Sequence, residues 1–339
     1  MLEIEKVFGE SPHGRVVVTY RQNATDVPLP FAFVLNISRL IGGNSIEISH
    51  GLILRRAKTE EIKFVKEIMK SVFGSQFTGT LWEDRPPKSG RGAYVKLPAK
   101  QWRYFVIEIG DHIEELADLE IAFTIAECDL ELGLVASKMK IANRSFPVCT
   151  YRPPQLFQSL SALSSRQHSE EGVGKILSKA DAEHLGQVYA KLRRYDRNIL
   201  DLAPVFKQLL ELKDLPYFSP LQILGYFAIL ESILTHQPNP EDRYDSITRQ
   251  ITRKLALLDK RWSPHLDYSA FGSATHEKIW SKMYAYRSAI AHGATPDFQS
   301  HLSLLRNKGD ANGLLKSTVK QVIRHCLVEP QLIADLHNC

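Results

Sequence analysis

The sequence predicts an α+β protein with a strand-rich domain over 1–150, a linker over 151–174 and an all-helical domain over 175–339. Three observations predict this class. The 339 residues are about twice a usual single domain; apolar and polar residues alternate in the first half, as in strands; and the apolar period becomes helical in the second. The 44% hydrophobic and 24% charged residues allow buried cores and exclude a disordered tail or a coiled coil.

Strands are predicted where period-two segments are rich in β-branched and aromatic residues. These segments are Arg15–Tyr20, Phe31–Ile37, Ser45–Leu54, Arg103–Ile109 and a neighbouring pair over 119–125 and 130–134. One helix interrupts them at Thr59–Phe73, because its apolar residues recur at helical spacing after an acidic first turn. The linker is predicted from its Pro-Pro pair, repeated serines and Glu-Glu-Gly-Val-Gly string.

Beyond the linker, helical periodicity and capping residues predict a bundle of five or six helices. The first helix begins at Ser178, and the second covers about 198–212. The third begins at Ser219-Pro220 and runs to Leu234. The fourth, fifth and last cover about 245–258, 277–292 and 314–328. Ser178 with Asp181 is a plausible N-terminal cap, and the almost wholly apolar third helix must lie in the core. Gly293 is the favoured residue just past the fifth helix, and a polar loop is predicted over 295–313.

Charge and cysteine usage narrow the function classes. The net charge of +5 is spread over both halves, so it permits a polyanionic partner without arguing for one. The amino terminus lacks the basic start and apolar stretch of a signal peptide, and no run approaches 18 apolar residues, so we expect a cytoplasmic protein without membrane association. Widely spaced cysteines are expected to be free core or surface thiols: Cys128, Cys149, Cys326 and Cys339.

Familiar catalytic signatures are missing from the sequence. There is no Gly-x-x-x-x-Gly-Lys-Ser/Thr phosphate loop, no Gly-x-Ser-x-Gly elbow and no His-Glu-x-x-His zinc helix. The 12 histidines form no ligand pair at helical spacing with a nearby carboxylate, so we expect neither a metal nor a cofactor. His50, His112 and His325 are expected to be surface or satisfied core residues.

One constellation remains, at the end of the fifth predicted helix, where residues 284–293 are YAYRSAIAHG. This string resembles the Arg-x4-His motif of HEPN domains, and in particular of their Apea-like branch, where a similar Tyr-Arg-Ser to His-Gly string closes a long helix. Residues 228–234, AILESIL, are similar to an Ala-Leu-Glu-x-Leu-Leu stretch upstream in the same family. The resemblance covers about 175–339 and implies a HEPN helical bundle with Arg287 and His292 as its catalytic residues.

The chemistry of the two side chains suits RNA cleavage without a metal. RNA carries its own nucleophile, the 2′-hydroxyl, so an enzyme needs only to move protons and to stabilise charge on the phosphorane. Histidine as a residue type suits proton transfer near neutral pH, and arginine offers a charged planar fork that matches phosphate, so His292 and Arg287 fit these two roles. The expected products, as in the family that the chain resembles, are a 2′,3′-cyclic phosphate and a 5′-hydroxyl.

The spacing adds a geometric condition. On an ideal helix, residues five apart point about 140° away from each other, so Arg287 and His292 cannot easily share one phosphate. Either the helix ends or distorts before His292, as Gly293 permits, or a two-fold dimer brings two motifs to one cleft. The family resemblance favours a homodimer whose active site takes Arg287 and His292 from each chain.

Supporting roles are predicted for three neighbours. Ser288 stands where HEPN proteins often have asparagine, aspartate or histidine, and could bind a phosphate or orient the histidine. Glu231 lies on an apolar helix and is expected to pair with an arginine, with Arg287 as the candidate, in a structural or a catalytic role. Tyr284 could stack on a base or belong to the core.

Two arginines on the fourth predicted helix are RNA-binding candidates. Arg249 and Arg253 are four residues apart and therefore share one helical face. They could follow a phosphate backbone or form an ordinary solvated face.

The resemblance thus predicts a metal-independent endoribonuclease with RNA as its substrate. Similar proteins act in bacterial anti-phage defence, by abortive infection, or as toxins. The strand-rich half would then be a sensor or regulatory domain for a phage-derived trigger or partner, because an uncontrolled ribonuclease would harm its host. Three alternatives stay open: a non-catalytic HEPN module that binds RNA or a nucleotide or serves assembly, a separate activity in the strand-rich half, and a purely structural Arg287–Glu231 pair with His292 favoured by the helix dipole.

Overall fold

The computed structural model describes the following residues: 3–10, 16–21, 30–41, 43–73, 84–85, 95–96, 98, 102, 104–110, 115–141, 144–151, 175–216, 219–237 and 246–338. The chain divides into two compact units, Met1–Ala190 and Lys191–Cys339. Strands dominate the first unit and helices the second, so the predicted α+β class with a strand-rich domain before a helical one is confirmed. Most of the predicted linker, 152–174, lies outside the described residues.

The first unit is built on an eight-stranded antiparallel sheet in the order β1-β2-β11-β10-β3-β9-β6-β5. The described strands are β1 (Glu3–Glu10), β2 (Val16–Arg21), β3 (Phe31–Val34), β4 (Ile37–Leu40), β5 (Ser45–Ser49), β6 (Leu52–Arg56), β7 (Asp84–Arg85), β8 (Val95–Lys96), β9 (Phe105–Glu108), β10 (Leu132–Ile141), β11 (Arg144–Tyr151) and β12 (Lys175–Leu177). Two short pairs stand apart from this sheet: β12 runs parallel to β4, and β7 runs antiparallel to β8.

Helix α1 (Thr59–Phe73) has the bounds that the sequence predicted. Its buried residues pack with side chains from β3, β9, β10 and β11 into one apolar core on the sheet. The members from the helix are Phe64, Val65, Ile68 and Met69. Glu60 and Glu61 in the first turn and Lys70 in the last turn complement the helix dipole.

The strand predicted over 119–125 is wrong, because residues Leu116–Ile125 form helix α2. All residues of this helix from Leu119 to Ile125 are buried, including the polar Glu120 and Thr124. A helix buried on every side shows no polar face, so its alternating large apolar residues imitate the period of a strand. The segment Ser45–Leu54 also differs from the prediction of one strand, since β5 and β6 form a hairpin that turns at Gly51, where φ is 77°.

Helix α3 (Lys179–Arg194) begins with the predicted cap. The Asp181 amide donates to Ser178 Oγ at 3.2 Å, and the Ser178 amide donates to Asp181 Oδ2 at 2.8 Å. Just before the helix, Lys175 Nζ donates to the carbonyl oxygen of Cys128 at 2.6 Å, which fastens β12 to the turn after α2. The division between the two units falls inside α3, after Ala190.

The second unit contains the end of α3 and six further described helices. They are α4 (Ala203–Leu212), α5 (Pro220–Leu234), α6 (Ile247–Asp259), α7 (His276–Ala291), α8 (Lys308–Cys326) and α9 (Pro330–Asn338). Helix α5 is central and packs against the other five. It begins at the predicted cap, Ser219, whose hydroxyl accepts from the Leu221 amide, and its core position is confirmed by seven buried side chains.

Helix α8 begins six residues earlier than predicted. Asn307 caps it by accepting a hydrogen bond from the Asp310 amide at 2.9 Å, so residues 308–313 of the predicted loop belong to the helix. The helix after Pro330 was not predicted at all. Proline at a first helical position starts a helix as readily as it stops the preceding one.

A strained turn precedes α8. Arg306 has φ 61° and ψ −65°, and the Asn307 amide donates across it to the Leu305 carbonyl oxygen at 2.7 Å. These are the marks of a classic γ-turn, a conformation that is rare for residues other than glycine. The Arg306 side chain is anchored, since its Nη1 donates to the carbonyl oxygen of Ala270 at 3.0 Å.

Candidate functional site

The predicted motif lies at the carboxyl end of α7. The helix ends at Ala291, and His292 is its C-cap with φ −93° and ψ 9°. Gly293 adopts φ 72°, its amide donates to the Ile290 carbonyl oxygen at 3.1 Å, and the Ala294 amide donates to that of Ala289 at 2.8 Å. This pair of bonds is a Schellman motif, which glycine permits. The helix therefore ends before His292, as one of the two predicted arrangements requires.

Arg287 meets the carboxylate that the sequence assigned to it. Its Nη2 lies 3.5 Å from Oε2 of Glu231 on α5, and the side chains of Arg287 and Glu231 are 37% and 20% exposed. The predicted pairing of these two residues is confirmed. Arg287 thus lies against a largely buried carboxylate, while its side chain as a whole is partly exposed to solvent.

Tyr284 joins the same group through its hydroxyl, which donates to Glu231 Oε1 at 3.4 Å. Its ring packs edge-to-face on Phe227, with centroids 5.0 Å apart. Burial, followed by the charge of Glu231, raises the pKa of Tyr284 far above the ordinary value of a phenol. The hydroxyl therefore stays protonated and remains a hydrogen-bond donor.

Ser288 and His292 are exposed at the end of α7. The Ser288 carbonyl oxygen accepts the His292 amide at 3.0 Å, which keeps the backbone of His292 in the last helical turn. Both side chains are accessible to a ligand, and neither belongs to the buried group around Glu231. A single chain thus offers a partly exposed cation and an exposed imidazole at one helix end.

Arg249 and Arg253 are both exposed on α6. The buried side chains of this helix, which include Ile251 and Leu255, face the bundle instead. The two arginines therefore form a basic stripe on another helix than the one that carries Arg287.

A hydrogen-bonded network at the start of α7 was not predicted. His276 Nε2 lies 2.9 Å from the carbonyl oxygen of Thr252, which can only accept, so this nitrogen carries the proton. His276 Nδ1 then accepts from the Tyr268 hydroxyl at 2.8 Å, and Trp280 Nε1 donates to that hydroxyl at 3.2 Å. Burial raises the pKa of Tyr268 to about 12. The network links α7 to α6 by hydrogen bonds, and no residue spacing in the sequence predicts it.

The remaining histidines and cysteines follow the prediction in part. His50 is exposed, and His112 lies outside the described residues. His325 is buried beside Trp262, but its Nε2 has no hydrogen-bond partner among the described residues and lies 4.0 Å from Glu329. Cys128, Cys149 and Cys326 are buried thiols that form no disulfide bond among the described residues, as expected, while Cys339 is outside the described part of the chain.

Comparisons with known proteins neither support nor contradict the resemblance of residues 284–293 to the HEPN motif. No protein-family model, no curated protein and no solved structure matches this chain at a significant level. Within the described residues, no three His, Cys, Asp or Glu side chains are grouped so as to hold a metal ion. None of the described helices is long and apolar enough to cross a lipid bilayer.

Proposed function

We propose that this protein is a cytoplasmic, metal-independent endoribonuclease of the HEPN type. The observation that carries the proposal is the end of α7, where a partly exposed Arg287 backed by Glu231 precedes an exposed His292 at the helix C-cap. This arrangement supplies a phosphate-binding cation and a proton-transfer group in one short segment.

The proposed reaction needs only these groups and the RNA itself. Arg287 binds the non-bridging oxygens of the phosphodiester and stabilises the charge of the phosphorane. A histidine removes the proton of the 2′-hydroxyl, whose oxygen attacks phosphorus, and a histidine donates a proton to the leaving 5′-oxygen. The products are a 2′,3′-cyclic phosphate and a 5′-hydroxyl. Ser288, exposed beside Arg287, would donate a further hydrogen bond to the phosphate.

Two proton transfers call for two imidazoles. A homodimer with two-fold symmetry would supply a His292 and an Arg287 from each chain to one cleft. The exposure of His292 at the end of its helix supports this arrangement, because the side chain is free to meet a second copy. Analytical ultracentrifugation tests it directly, since a protein that stays monomeric at micromolar concentration would lack the composite site.

In this proposal the RNA backbone also follows the exposed pair Arg249 and Arg253. The strand-rich unit acts as a sensor or regulatory domain for a phage-derived trigger or partner. The biological role that fits is anti-phage defence by abortive infection, or toxicity through RNA cleavage. These roles come from the resemblance of residues 284–293 to the Apea-like HEPN motif.

The decisive experiment incubates the purified protein with labelled RNA in EDTA. Wild type is expected to cut the RNA, and Arg287→Ala and His292→Ala are expected to lose cleavage by about a hundredfold or more. Arg197→Ala and His301→Ala are matched controls, since they remove an exposed arginine and an exposed histidine of the same unit. Cleavage that survives both site substitutions, or that requires a divalent metal, would overturn the proposal.

The second candidate function is a non-catalytic HEPN module that binds RNA or a nucleotide, or that serves assembly. The basic stripe formed by Arg249 and Arg253 favours RNA binding on its own account. RNA that binds but stays intact in the same experiment, with or without a trigger, would establish this function instead.

A further inference from the structure

Glu231 receives one donor on each of its carboxylate oxygens. Tyr284 donates to Oε1 at 3.4 Å, and Arg287 Nη2 lies 3.5 Å from Oε2. Both distances are longer than those of well-formed hydrogen bonds, which are about 2.5–3.0 Å for O–H···O and about 2.7–3.2 Å for N–H···O. Tyr284 and Arg287 therefore both contact the Glu231 carboxylate, but neither binds it at a short distance.

The guanidinium of Arg287 has two different edges in this arrangement. Its Nε is buried and has no hydrogen-bond partner among the described residues, although the adjacent Nη2 faces Glu231. Carboxylates bind arginine most strongly when two parallel N–H groups are engaged together. The Nε–Nη2 edge thus offers Glu231 a second bond, while the rest of a side chain that is 37% exposed stays available to a ligand.

We infer that Glu231 and Tyr284 are positioning residues that fix the guanidinium of Arg287 for a phosphodiester. This inference rests on the proposed function. When a phosphate binds the other edge of the Arg287 guanidinium, the carboxylate closes onto the Nε–Nη2 edge, and the Tyr284 hydroxyl holds the carboxylate in place. Catalytic hydrogen bonds that are long in the free enzyme commonly shorten in this way once substrate is bound. Tyr284 therefore acts through Glu231 and does not stack on a base.

Helix α7 provides a matched pair of tyrosines for the test. Tyr286 lies two residues from Tyr284, is buried, and its hydroxyl donates to Asn312 Oδ1 at 3.2 Å. Tyr284→Phe and Tyr286→Phe each remove one hydrogen bond to the bundle, but only the first touches Glu231. The two variants thus separate positioning of Arg287 from a general loss of stability.

The first measurement is steady-state cleavage of RNA. Glu231→Gln is expected to lower kcat by about tenfold and Tyr284→Phe by about threefold, with KM changed less than twofold, since a misplaced guanidinium stabilises the transition state less well. Tyr286→Phe is expected to keep the wild-type kcat. Equal effects of the two tyrosine substitutions, or a Glu231→Gln variant that binds RNA more tightly and cuts it faster, would overturn the inference.

The second measurement does not depend on catalysis. In a protein with ¹⁵N-labelled arginine, the Nε–H and Nη–H signals of Arg287, assigned by Arg287→Lys, report how freely the guanidinium rotates. We expect restricted rotation in wild type once inorganic phosphate or a short RNA is added, and faster rotation in Glu231→Gln and Tyr284→Phe. Unchanged signals in both variants would overturn the inference even if the RNA is cleaved. Restricted rotation in a protein that does not cut RNA would refute the proposed function alone.

Discussion

Gly186 of α3 lies so close to Ile48 of β5 that a Cβ atom on the glycine would stand 2.0 Å from the Ile48 carbonyl oxygen. The contact is with backbone, which cannot rotate away as a side chain can. The middle of α3 therefore packs directly on the backbone of β5 because position 186 has no side chain.

We expect Gly186→Ala to destabilise the protein by about 3 kcal/mol, because the added methyl group forces the helix from the strand. Urea denaturation followed by circular dichroism measures this change. Gly313→Ala is the control, since a Cβ there meets nothing within 4 Å and alanine is favoured over glycine in a helix by up to about 1 kcal/mol. A Gly186→Ala variant as stable as wild type would show that α3 does not depend on this contact.

Substitutions at Gly293 test whether the left-handed turn after α7 is needed to position His292. Its φ of 72° is left-handed, and a Cβ there meets nothing within 4 Å, so the cost of a substitution is conformational alone. Gly293→Ala is expected to cost about 1 kcal/mol and Gly293→Asn less, since asparagine tolerates this region better. RNA cleavage should fall more in Gly293→Ala than in Gly293→Asn, because the C-cap conformation of His292 is disturbed more by alanine. Equal stability and cleavage in wild type, Asn and Ala variants would exclude a role for the left-handed turn.

His325 predicts a dependence of stability on pH. Burial, with a smaller contribution from Arg261 and an opposing one from Glu329, lowers the pKa of His325 below its ordinary value of about 6.5. The unfolded chain therefore binds a proton more readily than the folded one. His325 does not lower the free energy of unfolding above about pH 6.5, but it lowers it progressively as the pH drops from there toward the lowered pKa.

The measurement is the free energy of unfolding at several pH values between 5 and 8. His325→Gln is expected to flatten the acid side of the curve relative to wild type. His301→Gln, at an exposed histidine of the same unit, should leave the curve unchanged. If both variants lose stability on acidification as steeply as wild type, the buried histidine is not its cause.

The basic stripe of α6 predicts a salt effect on RNA binding. The double variant Arg249→Gln, Arg253→Gln removes two exposed cations, and each phosphate contact adds about 0.7 to the slope of log affinity against log salt for a single strand. We expect weaker binding and a slope shallower by about 1.4. Fluorescence anisotropy at several salt concentrations measures it, with Arg197→Gln, Lys207→Gln as a double variant of equal charge. Equal slopes for the two double variants would show that RNA does not contact the basic stripe of α6.

Local signals in the sequence predicted local structure well. Ser178 with Asp181 and Ser219 with Pro220 mark helix starts because a cap needs only neighbouring residues. Leu116–Ile125 was mistaken for a strand because burial on every side removes the polar face by which a helix is recognised. The pairing of β3 with β9 joins segments about seventy residues apart, and nothing in either segment specifies its partner.

The candidate site was predictable where chemistry restricts the choice. A carboxylate on an apolar helix needs a cation, so Glu231 could be assigned to Arg287 although the two are 56 residues apart. The bond from Tyr284 to Glu231 and the network of Tyr268, His276 and Trp280 could not, because aromatic residues on helices usually mean only a core. Their hydrogen bonds depend on how helices are packed, which spacing along the chain does not encode.

The γ-turn at Arg306 has a practical consequence for preparing this protein. Glycine adopts a φ of 61° more readily than arginine, so Arg306→Gly relieves backbone strain at the loss of the hydrogen bond to the Ala270 carbonyl oxygen and of an exposed ion pair with Asp310 at 3.9 Å. The change leaves the sequence of α7 and the whole strand-rich unit as they are. For crystallisation or for spectroscopy on the arginines of the motif, position 306 is therefore the first place to seek a sturdier starting material with one arginine signal fewer.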